Sequence, residues 1–307
     1  MECREEESDY DMVCTSPISI KVPVKGMPKI FQEMEVPCGK CLACRIKKRQ
    51  EWSMRMLHEL SYHDKSVFLT LTYNNYYVPS HGGLSIPELQ NFFKRLRKDN
   101  PDKKIKYFAC GEYGEEKMRP HYHAIVFGLG LTPEDKNSVI KCWPYCDWDE
   151  PDILKNSFGI AEPDSIRYVA QYIDKKYSGD MEIEMYLEQG LQPVFRLMSQ
   201  GIGERYACDN HKQIKDLGYI TVKGTKQSVP RYYIKKLELD TSTLTQYAVY
   251  SESEQNERWT GINISSDDAE RSLNPELINK IYEGKMRSNK QRNKNLEVKS
   301  TLKKRKF

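Results

Sequence analysis

The sequence predicts an α+β fold with an antiparallel sheet, and three observations lead to this prediction. Candidate elements between residues 67 and 177 follow the order strand, helix, strand, strand, helix. The strand segments are rich in β-branched and aromatic residues, whereas apolar residues recur at helical spacing in the helix segments. Only a short polar segment separates the second strand from the third, so these two are expected to pair as a hairpin.

The elements of this region are expected at the following places. The first strand covers residues 67–73 and ends at two asparagines. Residues 87–98 predict a helix with one apolar side, and residues 105–113 and 121–127 predict the hairpin strands.

Two further helices are expected on either side. Residues 45–61 carry apolar side chains at helical spacing among lysines and arginines. Asp164 follows a proline and is a suitable N-cap for the last helix, which is expected to extend to about Tyr177.

Changes in composition divide the chain into four segments. The first holds an acidic start, a cysteine cluster and a basic helix, and the second holds the predicted catalytic core. The third is an accessory region, in which residues 219–222 and 231–236 are expected to be strands and residues 276–285 a helix. The fourth has too few apolar residues to pack and is expected to be disordered when free. The segments are 1–61, 62–180, 181–284 and 285–307.

Composition and charge exclude several classes of protein. Charged residues make up 30% of the 307 residues, and no apolar run reaches the roughly 18–20 residues that a membrane span needs. The first residues lack the basic start and apolar stretch of a signal peptide, so a cytosolic protein without a membrane partner is expected. The net charge is only +4, but the segment after Lys285 contains a single acid, Glu297, and is suited to bind phosphate groups.

A histidine pair lies in the third predicted strand. His121 and His123 are two residues apart, so their side chains point to the same face. Two adjacent imidazoles form a ready pair of metal ligands. The alternative is a pair of half-exposed strand histidines without a metal, because a His-x-His motif is common by itself.

An acidic residue is expected beside the histidines. Glu112 lies near the turn of the predicted hairpin, across from the histidine strand. Two neutral imidazoles and one carboxylate suit a divalent ion with open coordination positions. Glu115 and Glu116 compete for this role, and a solvated turn acid is the alternative interpretation.

Two tyrosines are spaced for a shared site on the last predicted helix. Tyr168 and Tyr172 are at positions i and i+4, where side chains are neighbours, and Lys175 and Lys176 follow on roughly the same side. Another face of this helix supplies apolar residues for core contact, so the tyrosines are not needed for packing. Two amphipathic tyrosines at the edge of a packed helix are the alternative.

The tyrosines and the metal ligands complement each other chemically. A phenol with a pKa near 10 is a poor nucleophile until it loses its proton. A metal that polarises a phosphate, with a lysine that screens it, offsets this weakness. Because Lys175 and Lys176 follow Tyr172 closely, Tyr172 is expected to be the more dependable nucleophile and Tyr168 the alternate.

These residues resemble the three motifs of the HUH endonuclease superfamily. Residues 68–73 (Phe-Leu-Thr-Leu-Thr-Tyr) resemble its first motif and residues 119–123 (Arg-Pro-His-Tyr-His) resemble the metal-binding second motif. Residues 168–172 with Lys175 and Lys176 resemble the two-tyrosine third motif. More specifically, the chain is similar to the replication initiators of the microviruses, in particular the gokushovirus-like group. This likeness covers roughly residues 14–236.

The resemblance implies a ferredoxin-like HUH endonuclease core, flanked by an N-terminal cysteine-rich helical segment and a C-terminal extension. It implies Mg²⁺ or Mn²⁺ as the catalytic ion and a single-stranded DNA origin as the partner. The implied activity is rolling-circle replication of a phage genome in the bacterial cytoplasm, through a 5′-phosphotyrosine intermediate. Arg119 in the second motif is a candidate DNA contact. Since the sequence has no Walker A phosphate loop, host helicase and polymerase machinery is expected to assist.

A cysteine cluster near the start predicts a second metal site. It consists of Cys38, Cys41 and Cys44. This spacing suits zinc or an iron–sulfur cluster, and unligated thiols are the alternative. Cys14 is the first choice for a fourth ligand, and Cys3 and His58 are the alternatives.

A basic group directly follows the cysteines. Lys47, Lys48 and Arg49 are expected to face DNA from a rigid support, although a solvated helix face explains them too.

Three other functions compete with nicking. A protein that binds an origin or RNA without cutting it would make the histidine and tyrosine pairs coincidental. A relaxase or transposase would use the same chemistry in a different process. A non-haem iron oxygenase would use two histidines and a carboxylate but leave the paired tyrosines unexplained.

Overall fold

The computed structural model describes residues 14–24, 27–80, 82–114, 117–175, 183–222 and 224–304. Contacts within the chain define two units. One comprises Lys48–Tyr206, and the other comprises Met1–Lys47 together with Ala207–Phe307. The first unit extends beyond the predicted core at both ends, and the four-segment division by composition stays a prediction.

A hairpin and a long helix come first in the described chain. Strands β1 (Ile18–Val24) and β2 (Met27–Val36) pair antiparallel, and helix α1 (Leu42–Leu60) follows them. The helix contains the predicted segment 45–61 almost completely.

A five-stranded antiparallel sheet forms the basis of the unit Lys48–Tyr206. Its strands are β3 (Ser66–Leu71), β4 (Lys106–Tyr113), β5 (Pro120–Phe127), β6 (Phe158–Ile160) and β7 (Arg196–Met198). They lie in the order β6-β3-β5-β4-β7, so β5 is central and β3 and β4 flank it. The predicted α+β fold with an antiparallel sheet is therefore confirmed.

Helices pack on both faces of this sheet. They are α2 (Ile86–Asp99), α3 (Pro133–Cys142), α4 (Pro151–Ser157) and α5 (Pro163–Lys175), and Ile183–Leu187 forms a π-helical turn. On one face, α2 and α3 pack against a core that includes Leu69 and Val126. On the other face, α1 and α5 pack against a core that includes Phe108 and Ile125. Since successive strand residues alternate in direction, His123 shares the α5 face with Ile125.

The C-terminal part of the chain is mostly helical. Strands β8 (Tyr219–Val222) and β9 (Thr225–Ser228) form a small antiparallel sheet. The helices are α6 (Glu204–Asp209), α7 (His211–Leu217), α8 (Arg231–Lys236), α9 (Thr241–Thr260), α10 (Ser266–Arg271) and α11 (Pro275–Lys304). Trp259 of α9 packs so tightly on Gly284 of α11 that a Cβ atom there would clash with the indole.

Two predictions about local structure were wrong. Residues 231–236 form α8 rather than a strand, because the carbonyl of Pro230 accepts hydrogen bonds from the amides of Tyr233 and Ile234 and starts a helix. Asp164 is not the N-cap of α5, since the helix already begins at Pro163. Proline suits the first helical position because its missing N–H would lack an intrahelical partner there.

The predicted disorder of the basic end was also wrong for residues 285–304, which belong to α11. The side-chain oxygen of Asn274 accepts hydrogen bonds from the amides of Glu276 and Leu277 and starts this helix. Leu277 and Ile281 pack against Ala269 and offset the cost of nucleation. The following lysines, arginines and glutamines are good helix formers, so the helix continues.

Candidate metal centre and tyrosine pair

The register of the β4–β5 hairpin brings the three predicted metal ligands together. Glu112 pairs directly with His121, and Cys110 pairs with His123, so all three side chains lie on the α5 face of the sheet. The Nε2 atoms of His121 and His123 are each 3.9 Å from Oε2 of Glu112. One ligand atom from each residue lies within 4.8 Å of the other two.

Hydrogen bonds orient both imidazoles toward the carboxylate. His121 Nδ1 is 3.2 Å from the carbonyl oxygen of Arg119. A carbonyl only accepts, so Nδ1 carries the proton and Nε2 of the neutral ring keeps its lone pair. His123 Nδ1 is 3.2 Å from the hydroxyl of Thr70. Metal-binding histidines typically have such a partner on the other ring nitrogen.

The site is enclosed on one side and open on the other. The side chain of His123 is 7% exposed, whereas those of Glu112 and His121 are 14% and 20% exposed. Ring stacking on Phe68 at a centroid distance of 5.6 Å supports the buried His123. Three protein ligands on an open edge leave coordination positions for water or a phosphate. The competing acids Glu115 and Glu116 lie outside the described residues.

Sequence reasoning missed Thr70 and Phe68 as parts of this site. Thr70 lies directly opposite His123 in the pairing of β3 with β5. Both residues belong to the predicted first strand, and their spacing of two places them on the same face. The missing information was which strand β3 would join.

Tyr168 of α5 reaches the metal centre from above the sheet. Its phenol oxygen is 3.5 Å from Nε2 of His123, and the two ring centroids are 5.2 Å apart in an edge-to-face arrangement. The residue is 36% exposed, so its hydroxyl is accessible to solvent. The structure thus combines an accessible phenol with the two-histidine cluster.

Tyr172 lies deeper at the same centre. Its ring stacks on His123 at a centroid distance of 5.4 Å, and it contacts Tyr168 edge-on at the same distance. Tyr172 is only 9% exposed and belongs to the core cluster with Ile166 and Val169. Burial raises the pKa of its phenol, and the nearby Glu112 carboxylate raises it further. The prediction that both tyrosines are dispensable for packing was therefore wrong for Tyr172.

The two predicted lysines cannot be compared with this geometry. Lys175 ends α5, but its side chain lies outside the described residues, as does Lys176 completely.

The structure brings the four predicted thiols together at a second place. The Sγ atoms of Cys14, Cys38, Cys41 and Cys44 all lie within 4.8 Å of one another. His58, an alternative fourth ligand, is instead buried against the ring of Tyr206 at a centroid distance of 3.5 Å. Burial lowers the pKa of His58 to about 4. Cys3, the other alternative, lies outside the described residues.

The predicted DNA contacts differ in their surroundings. Lys47 and Lys48 are exposed on α1, and Arg49 is half-buried. The guanidinium of Arg119 donates hydrogen bonds to the carbonyl of Tyr73 at 2.6 Å and to Asn75 at 2.7 Å. Arg119 therefore supports the loop after β3 in addition to any contact with DNA.

Comparison with known proteins links this site to a group of phage proteins. Residues 66–177, which include the histidines and both tyrosines, match the family of the replication-associated protein ORF2. The replication-associated protein ORF2 of Spiroplasma virus 4 is 31% identical over 225 residues, 66% of this chain and 68% of the relative. Replication-associated protein VP4 of Bdellovibrio phage phiMH2K is 28% identical over 226 residues, 68% of this chain and 69% of the relative.

A third relative covers a similar part of the chain. Replication-associated protein ORF4 of Chlamydia phage 1 is 28% identical over 232 residues, 69% of this chain and 57% of that protein. No solved structure matches the chain. Within the part of the chain that the structure describes, no helix has both the length and the apolar character that crossing a membrane requires.

Proposed function

Because the chain belongs to the family of phage replication-associated proteins, we propose that it initiates replication by nicking single-stranded DNA with a tyrosine. The observation that carries this proposal is the approach of the Tyr168 phenol to within 3.5 Å of the His123 imidazole. A binding protein has no need for a nucleophile beside a cluster of metal-binding side chains. The expected partners are a single-stranded origin and, in the bacterial host, a helicase and a polymerase.

The residues fit a divalent ion in this role. Glu112, His121 and His123 provide one carboxylate and two imidazoles, a donor set that suits Mn²⁺ and accepts Mg²⁺ with water completing the shell. An ion bound there would polarise the scissile phosphate and stabilise charge in the transition state. The proposed ferredoxin-like HUH core is consistent with the position of these ligands on the central hairpin.

The covalent step uses the phenol oxygen of a tyrosine. This oxygen forms a bond to phosphorus, and the bond from phosphorus to the 3′ oxygen of the preceding nucleotide breaks. The phenol proton passes to water, and the 3′ oxygen takes up a proton. The products are a 5′-phosphotyrosine and a free 3′-hydroxyl, and the ester keeps the reaction reversible so that ends can be rejoined.

Accessibility supports Tyr168 as the first nucleophile, which reverses the order expected from the lysine spacing. Tyr168 is 36% exposed and Tyr172 only 9% exposed. A phosphate arriving from solvent meets Tyr168 first. Tyr172 then acts after a small movement, once Tyr168 carries DNA. A relaxase or transposase would share this step, but the relatives named above are replication-associated proteins of phages.

Thr70→Val should weaken the metal centre without removing a ligand. The threonine hydroxyl holds the ring of His123, and loss of such an orienting group costs roughly 10- to 100-fold in metal affinity or activity. The Mn²⁺ concentration needed for half-maximal nicking should rise accordingly. Thr72→Val is the matched control, because the Thr72 hydroxyl contacts Cys146 instead. An unchanged Mn²⁺ requirement in Thr70→Val would contradict the orienting role.

The basic helix α11 should hold DNA through its phosphates. Arg287, Lys290 and Lys294 are exposed on this helix, and each phosphate contact to single-stranded DNA contributes about 0.7 to the salt slope of log affinity. Changing all three to glutamine should lower that slope by about 2 and weaken binding equally for different sequences. The exposed lysines 94 and 98 of α2, changed in the same way, serve as the control. A slope equal to wild type would show that α11 does not contact DNA.

A further inference from the structure

We propose that Cys14, Cys38, Cys41 and Cys44 bind a structural zinc ion that clamps the β1–β2 hairpin to the start of α1. The four thiols come from different places along the chain. Cys14 precedes β1, Cys38 follows β2, Cys41 precedes α1 and Cys44 lies in its first turn. All four are free thiols, and their Sγ atoms lie within 4.8 Å of one another.

The distances between the sulfurs suit a single ion. Four thiolates around a tetrahedral zinc at about 2.3 Å are separated from each other by about 3.8 Å. The Sγ atoms of Cys14 and Cys41 are 3.8 Å apart. An iron–sulfur cluster places several irons between its thiolates, and each thiolate extends outward from a different iron. The whole set would then be wider than it is here, so the geometry favours zinc.

Backbone amides support the sulfurs as acceptors. The amide of Cys38 is 3.2 Å from Sγ of Cys14, and the amides of Lys40 and Cys41 are 3.4 and 3.3 Å from Sγ of Cys38. An amide donates its hydrogen, so each of these bonds favours a thiolate over a thiol. The tight turn between Cys38 and Cys41 requires Gly39, whose φ is +73°, a conformation that glycine adopts without strain. The turn and its amides are arranged around the sulfurs.

The hairpin needs an additional source of stability. A two-stranded hairpin is marginally stable by itself. Several of its apolar side chains are exposed, including Ile18, Phe31 and Met34. Zinc bound between Cys14 and Cys38 would close the segment at its base, 24 residues apart, and its binding free energy would contribute to folding. The proposed site is therefore structural and separate from the metal used for nicking.

Metal analysis of the full chain tests this proposal without any activity assay. The His121→Ala variant is used throughout, so that the histidine cluster contributes no zinc. Protein purified without chelator should contain about one zinc per chain. A mercurial reagent that titrates the thiols should release this zinc, as detected by a metallochromic indicator. Protein that is folded and free of zinc, with all thiols reacting as fast as the exposed Cys208, would overturn the proposal.

Cysteine variants and cobalt identify the ligands. Cys41→Ser combined with Cys44→Ser should remove the zinc, and Cys208→Ser should keep it. If the double variant fails to fold, mercurial release from the unaltered cluster still decides the question. In the cobalt-substituted protein, sulfur-to-cobalt charge-transfer absorbance should weaken in Cys14→Ser. An unchanged spectrum there would exclude Cys14 as a ligand and overturn the four-thiolate assignment.

Discussion

His121→Ala is expected to abolish nicking while leaving the fold nearly unchanged. His121 provides one of three proposed metal ligands, and even the groups that only orient such ligands are worth roughly 10- to 100-fold. Loss of the ligand itself should therefore reduce nicking by more than about 100-fold. The side chain is 20% exposed at the edge of the hairpin, so its removal creates little cavity. His123→Ala is less informative, since His123 is buried against Phe68 and Tyr172.

The measurement compares initial nicking rates on a labelled single-stranded oligonucleotide with Mn²⁺. Wild type in excess chelator should fall to the rate of His121→Ala. His211→Ala, which changes an exposed histidine at the start of α7, should nick like wild type. Circular dichroism and thermal unfolding confirm that each variant is folded. Cleavage by His121→Ala at the wild-type rate would remove the metal centre from the mechanism.

The double variant Tyr168→Phe, Tyr172→Phe should bind DNA but form no covalent adduct, because no phenol remains at the metal centre. The single variants should differ from each other. With Tyr168 removed, attack falls to the buried Tyr172, and a misplacement of about 1 Å costs roughly 100-fold in rate. Tyr172→Phe should keep most of its first-round nicking, since Tyr168 remains accessible.

A second assay separates the two tyrosines further. Circle closure needs two successive attacks, so both single variants should fail to close circles even where nicking survives. Tyr76→Phe, which changes an 85% exposed tyrosine, is the control and should behave like wild type. Equal nicking by both single variants would contradict the order proposed from accessibility.

Much of the catalytic centre was predictable because strand periodicity acts over short distances. The spacing of His121 and His123 placed them on one face, and a hairpin with a short connection left few positions for Glu112. The hairpin register, with Glu112 opposite His121, agrees with this reasoning. The same local arguments located α2 and α5 within a residue or two.

Long-range contacts were the part that the sequence did not reveal. The role of Thr70 depends on the pairing of β3 with β5, which no local pattern specifies. The burial of Tyr172 depends on how α5 rests on the sheet, since the same phenol at a slightly different rotation would be exposed. Residues 285–304 were expected to be disordered because they lack apolar side chains, but packing of the first turns of α11 supports the helix that continues through them.

The most direct test of the central claim is peptide mapping of wild-type protein after reaction with labelled single-stranded origin DNA and Mn²⁺. A denaturing gel should first show a protein band that retains the label. Proteolysis and mass spectrometry should then place the nucleotide on Tyr168, with a minor fraction on Tyr172. Cleavage without a covalent band, or label on Tyr177 with both of these tyrosines unmodified, would contradict nucleophilic attack by the tyrosine pair.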